Sequence, residues 1–401
     1  MAESIIKETY NATGLPGATA ASRYAGATAS GAPTTGTFAV GDFVVDQTGA
    51  IYVCTVAGTP GTWQLSGVSV NENIAGKNFV INGGMDIWQR GTSFTSQGSS
   101  TSFASDRWEA VRYGYAAGLT SSQQTSGLTG FQYAIRLQRN SGNTDTTGIT
   151  LSQSFETSNT LPLAGQTVTF SYWARAGANY SATSNALNWQ LAYSTTTNVS
   201  YIRAGFTGGG TYSSNVTLTT SWQRFTTTQT IPSNATQVAV AFVETPTGTA
   251  GANDYFDITG VQLEIAPQAT PFSRAGGSIG GELALCQRYF EMSFAQGVTP
   301  ANGSNTTSLS TLVGAFAMAS INNSPSDTLN FRVEKRIVPS ITLYGNSSGY
   351  WCYTQISSGL TWSSVAWVPY SSSTGSINGA QQVVDSVFVL VRGHWTASAE
   401  L

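Results

Sequence analysis

This 401-residue chain is predicted to be all-β: a small N-terminal β-hairpin module, a central jelly-roll β-sandwich, one short helix and a C-terminal β-sandwich tip. Two observations lead there. Short apolar runs recur at a spacing of roughly ten residues with Gly, Ser and Asn turns between them, which is the pattern of sandwiches and jelly rolls. Against them stands a single convincing helical stretch. At ~150 residues per domain the length calls for two or three cores.

Taken in order, residues 1–76 open on Ala/Gly/Thr-rich sequence that can bury little alone. Phe43-Val44-Val45 and Ile51 to Val56 then form two apolar runs around Asp46-Gln-Thr-Gly49, a hairpin with a four-residue loop. Gly58-Thr-Pro-Gly61 makes a second turn before Trp63. Two strands and one Trp are marginal as an isolated fold, so this module is expected to complete its core against another chain. Residues 77–274 read as the jelly roll. Gln166 to Arg175 alternates, with Val168, Phe170, Tyr172 and Ala174 on one face; Trp222 to Ile231 and Val238 to Val243 are further strands.

Residues 275–291 combine a Gly-rich stretch, a hinge by composition, with the helix Glu282 to Glu291. Leu283, Cys286 and Phe290 share its apolar stripe, and Glu282 suits its N-terminal dipole end. About ten residues cannot hold a helix alone in water, so it must pack on something. Residues 292–401 return to strands at 311–320, 330–338, 341–344, 351–356, 364–368 and 385–391. The last is apolar on both faces, as an interior strand is.

Charge and composition exclude several functions. Only 9% of residues are charged, with 17 basic against 20 acidic and a net charge of −3, against a usual ~25% charged. No basic field exists to neutralise phosphates, so no nucleic-acid partner is expected. The one histidine, His394, has no nucleophile–base arrangement around it and reads as a packing or trimer contact. Three cysteines, Cys54, Cys286 and Cys352, are too far apart for a zinc or redox motif and give no disulfide framework. No run reaches the ~18 apolar residues of a membrane span, and residues 1–10 lack the apolar core of a secretory signal. No catalytic residues, and no enzyme, are expected.

A spaced set of motifs runs through the jelly roll: Asn82-Gly-Gly-Met-Asp-Ile-Trp-Gln-Arg-Gly91, Ser105-Asp-Arg-Trp108, Val261-Gln-Leu-Glu264, Ala269-Thr-Pro-Phe-Ser-Arg274, then Glu282 to Phe290. This series resembles bacteriophage tail-fibre and receptor-binding proteins in which a carbohydrate-binding-module-like jelly roll precedes a C-terminal tip. The hairpin Gly41 to Asp46 and Gly58 to Trp63 are similar to a small module found in phage fibres. The resemblance implies an elongated homotrimer in the virion, synthesised in the host cytoplasm. It also implies that the N-terminus docks on a tail, baseplate or adaptor protein and that the β-domains bind a bacterial surface polysaccharide for adsorption, without membrane insertion. The alternatives are a tailspike-like depolymerase, which would need paired carboxylates and a repeat that is not visible, and a structural fibre or adaptor with no receptor site.

Candidate glycan contacts follow from aromatics set among small polar residues, an adhesive composition. They are Trp351, Tyr353, Trp362, Trp367 and Tyr370, expected on loops of the tip. Tyr113, Tyr115 and Trp189 of the jelly roll are the next place to look. Trp88, Trp108, Trp173, Trp189 and Trp222 could stack on sugars or fill a core, with Trp88 and Trp108 read as core. Arg90, Asp106 and Arg107 are read as a buried ion pair or clasp. No cofactor is expected; a structural calcium ion would look to Asp254 and Asp257, with Glu264 downstream, though no DxDxDG loop is present. The other use of those carboxylates is bonding to backbone or arginine.

Overall fold

The computed structural model describes residues 23–47, 49–66, 74–97, 102–112, 118–203, 205–302, 312–316, 326–344, 352–355, 361–364, 367–381, 389–392 and 394–401. The chain divides into two compact units, Met1–Asn71 and Glu72–Leu401. In the first, the expected hairpin forms as β2 (Phe43–Asp46) and β3 (Ile51–Val56), flanked by β1 (Tyr24–Thr28) and β4 (Thr62–Leu65). The four lie in the order β1-β2-β3-β4, with β1 parallel to β2. The Ala/Gly/Thr-rich opening thus contributes a strand of its own. Its neighbour Arg23 pairs with Asp42 at 2.7 Å, and Trp63 meets Phe38 edge-on at 4.8 Å.

The second unit begins with the jelly roll. Its strands are β5 (Ser93–Gln97), β6 (Ser102–Phe103), β7 (Glu109–Arg112), β8 (Leu119–Thr125), β9 (Tyr133–Arg139), β10 (Ile149–Ser154), β11 (Thr167–Ala176), β12 (Ala186–Ser194), β13 (Gly210–Thr217), β14 (Gln223–Thr230), β15 (Gln237–Glu244) and β16 (Tyr255–Ile265). They build two six-stranded sheets, β13-β12-β15-β10-β7-β6 and β14-β11-β16-β9-β8-β5. The period-2 alternation of β11 sends Val168, Phe170, Tyr172 and Ala174 inward, where they meet Leu187, Trp189, Leu191, Val240 and Phe242 of the facing sheet in one core. Trp88 and Trp108 belong to the same core, so both are structural as expected.

The motifs are fasteners of this sandwich. The Asn82 side chain bonds the Ile87 backbone in both directions and donates to the Asp106 carbonyl, while Trp108 donates to the Asn82 carbonyl. Asn78 ties Val261, Leu263 and Ser273 together.

The helix runs over Ile279–Gln287, not 282–291. Ser278 caps it by accepting from the Gly281 amide, so Ile279-Gly-Gly281 is helical. The Glu282 carboxylate accepts from the amides of Gly276 and Asn82 and fixes the Gly-rich stretch to the jelly roll. Leu283 and Cys286 pack with Ile81, Ile87 and Tyr289, so the helix finds its packing within the chain. Phe290 leaves the helix because it opens β17 (Phe290–Met292).

The remaining strands are β18 (Leu312–Phe316), β19 (Ser326–Asn330), β20 (Ser340–Tyr344), β21 (Cys352–Gln355), β22 (Thr361–Ser364), β23 (Trp367–Ser372), β24 (Ser376–Gln381), β25 (Val389–Arg392) and β26 (His394–Ser398). They form sheets β17-β26-β20, β18-β25-β21-β22 and β19-β24-β23, with β25 interior. Residues 331–339 do not continue β19, against the expected strand to 338. The Arg332 and Val333 amides go to the Glu291 carboxylate instead of a ladder, and buried Lys335 donates to the same carboxylate at 2.6 Å.

Candidate functional site

Of the tip aromatics, Tyr353 lies on β21, Trp362 on β22, and Trp367 and Tyr370 on β23, so these four stand on strands and not on loops. Trp351 lies outside the described residues, as do Tyr113 and Tyr115. Thr354 pairs with Trp362 across β21 and β22, which puts Tyr353 one step out of register with it. His394 stacks on Phe294 at 4.2 Å and meets Ser293 Oγ at 3.1 Å, and burial pushes its imidazole below the ordinary histidine range. Trp395 packs on Phe331. His394 thus takes the packing alternative of the two expected of it.

Asp254 and Asp257 are committed to arginine. Asp254 accepts from Arg139 at 2.8 Å and from the Ser181 amide. Asp257 accepts from Arg136 at 2.8 Å and Arg175 at 2.9 Å. Glu264 accepts from Gln262 and Thr270. These aspartates thus take the other use expected of them, bonding to arginine and backbone, and among the described residues no group of three or more His, Cys, Asp or Glu could hold a metal.

Arg90 and Arg107 form the expected clasp, with a partner far along the chain. Arg90 reaches Asp106 at 3.5 Å and Glu400 at 2.6 Å, and Arg107 pairs with Glu400 too. The guanidinium of Arg90 lies 3.7 Å over the Phe290 ring, and that of Arg107 lies 3.5 Å over Tyr289.

The outer faces of the two jelly-roll sheets differ. On the first, the segment after β12 folds back over the strands. The Tyr201 amide donates to Ser154 Oγ on β10 while its hydroxyl donates to Gln190 on β12. Its ring must therefore cross β15, which lies between them, and β15 presents only Ala239 and Ala241 there. Arg203 and Ser200 close the far side on Glu109, whose carboxyl burial pushes up. Trp189 points the other way, into the core at 7% exposure, which removes it as a glycan contact.

The second sheet keeps an aromatic area open. Alternation puts Trp173 and Arg175 on the face opposite the core. Trp173 is half-buried and paired with Arg224 of β14 and Thr259 of β16. The next row reads Arg175, Asp257, Arg136 across β11, β16 and β9. Beside Trp173, β16 carries a bulge at Gly260, with φ +61°. A Cβ there would come within 2.7 Å of Phe131 and 2.9 Å of Trp173. The missing side chain lets the two rings approach.

Phe131 in turn packs on Phe272 at 5.0 Å. Phe272 ends a strap, residues 266–273, laid over the rest of this face by Thr169 to the Ala266 carbonyl, Thr228 to the Pro267 carbonyl and Arg224 to the Thr270 carbonyl. The strap explains why outward-facing Thr169, Ser171 and Gln262 are buried while Trp173, Phe131, Phe272 and Trp222 remain half-exposed. Trp222 is pinned by its indole N–H to the Ser126 carbonyl and lies 4.6 Å under the Arg175 guanidinium. The result is a shallow platform of aromatic rings with a polar, arginine-bearing rim, chemistry suited to the apolar face of a sugar. Beside it, Asp257 and Glu264 are buried and spent on hydrogen bonds, and Asp86, close to Phe272, is paired with Arg274 at 2.8 Å.

No family model matches the chain, and no curated protein matches it. Solved structures similar to it include the enzymatically active domain of tailspike protein 4 from bacteriophage CBA120, at 10% identity and a TM-score of 0.29, covering 47% of this chain and 22% of that one. A family 4 carbohydrate-binding module is 21% identical with a TM-score of 0.27, over 40% of this chain and 88% of its own. The family 22 module of Clostridium thermocellum Xyn10B is 17% identical with a TM-score of 0.28, over 41% and 89%. The chain thus spans about a fifth of the tailspike domain's length.

Proposed function

We propose that this chain is a non-catalytic bacteriophage tail-fibre adhesin. It attaches to a tail, baseplate or adaptor protein through residues 1–76, assembles as a homotrimer and binds a bacterial surface polysaccharide for adsorption. The sequence motifs support the virion role and the trimer; the helix, packed within its own chain, gives the trimer no separate support. The observation that carries glycan binding is the half-exposed platform of Trp173, Phe131 and Phe272, held open by Gly260 and bounded by the strap. Sugar rings stack on such surfaces through their C–H faces, and each good anchor is worth on the order of 1–3 kcal/mol.

The test is retention of the full chain on an array of bacterial surface polysaccharides, with a reducing-end assay alongside. Trp173→Ala is expected to lower retention at least tenfold with little change in melting temperature, because the side chain lies outside the core. Trp362→Ala serves as the comparison in the tip. Loss with the tip variant alone would move the site to the tip strands. Release of reducing ends would make the protein a depolymerase.

A further inference from the structure

We propose that the sugar taken by this platform carries a carboxylate, bound by Arg175 with Arg224 on the other side of Trp173; the inference rests on the glycan-binding reading above. Arg175 is held from two directions. Its Nε donates to Asp257 at 2.9 Å, and its guanidinium lies over Trp222 at 4.6 Å. Those contacts fix the plane of the group and leave its two terminal nitrogens, the fork that matches a carboxylate, without a partner among the described residues, on a half-exposed side chain. An arginine oriented in advance loses less side-chain freedom on binding an anion than a free one.

Position supports the same ligand. Arg175 follows Trp173 by two residues on one strand face, a separation of about 7 Å. Arg175 therefore stands beside the area that a sugar stacked on Trp173 would cover. Arg224 flanks Trp173 across the strand pair.

The local charge also runs against the rest of the molecule. Arg136, Arg175 and Arg224 face only Asp257 and Glu264, and Arg274 beside Phe272 is paired with Asp86. A chain of net charge −3 with 9% charged residues therefore keeps a surplus guanidinium at its exposed aromatic platform. A neutral sugar would leave that cation unused. Uronic acids and nonulosonic acids share the chemistry that would occupy it.

The probes are polygalacturonate and polysialic acid, each compared with its carboxyl-reduced form, in affinity electrophoresis with the full chain at low and high salt. Retention of at least one acidic polymer is expected at ≥10-fold lower Kd than its reduced form, with the difference shrinking as salt rises. Arg175→Gln should erase the difference between the acidic and reduced polymers, and Arg224→Gln should reduce it. Trp173→Ala should weaken both forms. Melting temperatures of the variants within a few degrees of the parent show that the fold is kept. Equal retention of acidic and reduced polymers would overturn the carboxylate inference and leave the glycan platform standing. Discrimination that survives Arg175→Gln would overturn it as well. No retention of any polymer would take down the glycan reading with it.

Discussion

Glu244 ends β15 at 0% exposure, and neither of its carboxylate oxygens accepts a hydrogen bond. Burial, reinforced by the Asp254 carboxylate and only partly offset by Arg139 and Arg112, pushes it up to about 8. Tyr180, raised by its own burial, feels the same negative charges. A carboxyl raised in the folded state binds a proton that the unfolded chain has released. Its stabilising contribution is therefore complete below the unfolded value near 4.5 and is lost as pH rises towards 8. At ~1.4 kcal/mol per unit the loss is on the order of a few kcal/mol. Glu244→Gln is expected to be more stable than the parent at pH 8 and to differ little at pH 4.5, as read by denaturant unfolding. A parallel pH slope in the two proteins would mean that the carboxyl is ionised and partnered. The tryptophans show what is legible at this scale. The alternation Val168, Phe170, Tyr172, Ala174 already assigns Trp173 to the opposite face. The alternation Leu187, Trp189, Leu191 likewise puts Trp189 on a core face, but nothing in the local sequence of Trp222 tells buried from half-exposed, because that depends on its neighbours from other strands and loops.

At the scale of elements, strands with clean alternation were readable and those shaped by distant side chains were not. Strands β11, β14 and β15 stand where period 2 placed them. The helix was misplaced by three residues because its start is set by Ser278 and by Glu282, whose carboxylate bonds an amide 200 residues away. The predicted strand through Val338 failed for the same reason, as Glu291 takes its amides. Glu282 thus anchors the helix to the jelly roll. Glu282→Ala leaves the buried Asn82 amide and the half-buried Gly276 amide without these acceptors, and is expected to cost ~2–6 kcal/mol, at about 1–3 kcal/mol for each group. Glu282 is itself a buried carboxyl raised by desolvation, which offsets part of that cost. Thermal unfolding of the variant would show it as a drop in midpoint. An unchanged midpoint would mean that water reaches both amides.

For the whole second unit, the decisive link is Glu400. Its carboxylate pairs with Arg90 and Arg107 of the jelly roll, the Arg336 guanidinium donates to the carbonyls of Ala399 and Glu400, and the Ala399 amide donates to the Tyr289 carbonyl. Strand β26, just before it, pairs with both β17 and β20. The jelly roll, the segment after the helix and the last strand therefore share one buried cluster. A boundary drawn by composition near residue 291 passes through it, because a single Glu at the end of a Ser- and Ala-rich stretch gives no local sign of partners 310 and 293 residues away. Removing it strands Arg107, which is 3% exposed. Breaking a buried pair in this way typically costs about 3–5 kcal/mol. Glu400→Ala is expected to lower stability by that order. It should also separate calorimetric unfolding of the jelly roll from that of the C-terminal strands, which in the parent should melt together. Glu400→Gln, whose single amide oxygen can still accept from one of the two arginines but which loses the charge and the second acceptor, should restore part of the loss. If the parent already melts in two steps within this unit, or if Glu400→Ala leaves the midpoint unchanged, the cluster does not couple the two halves.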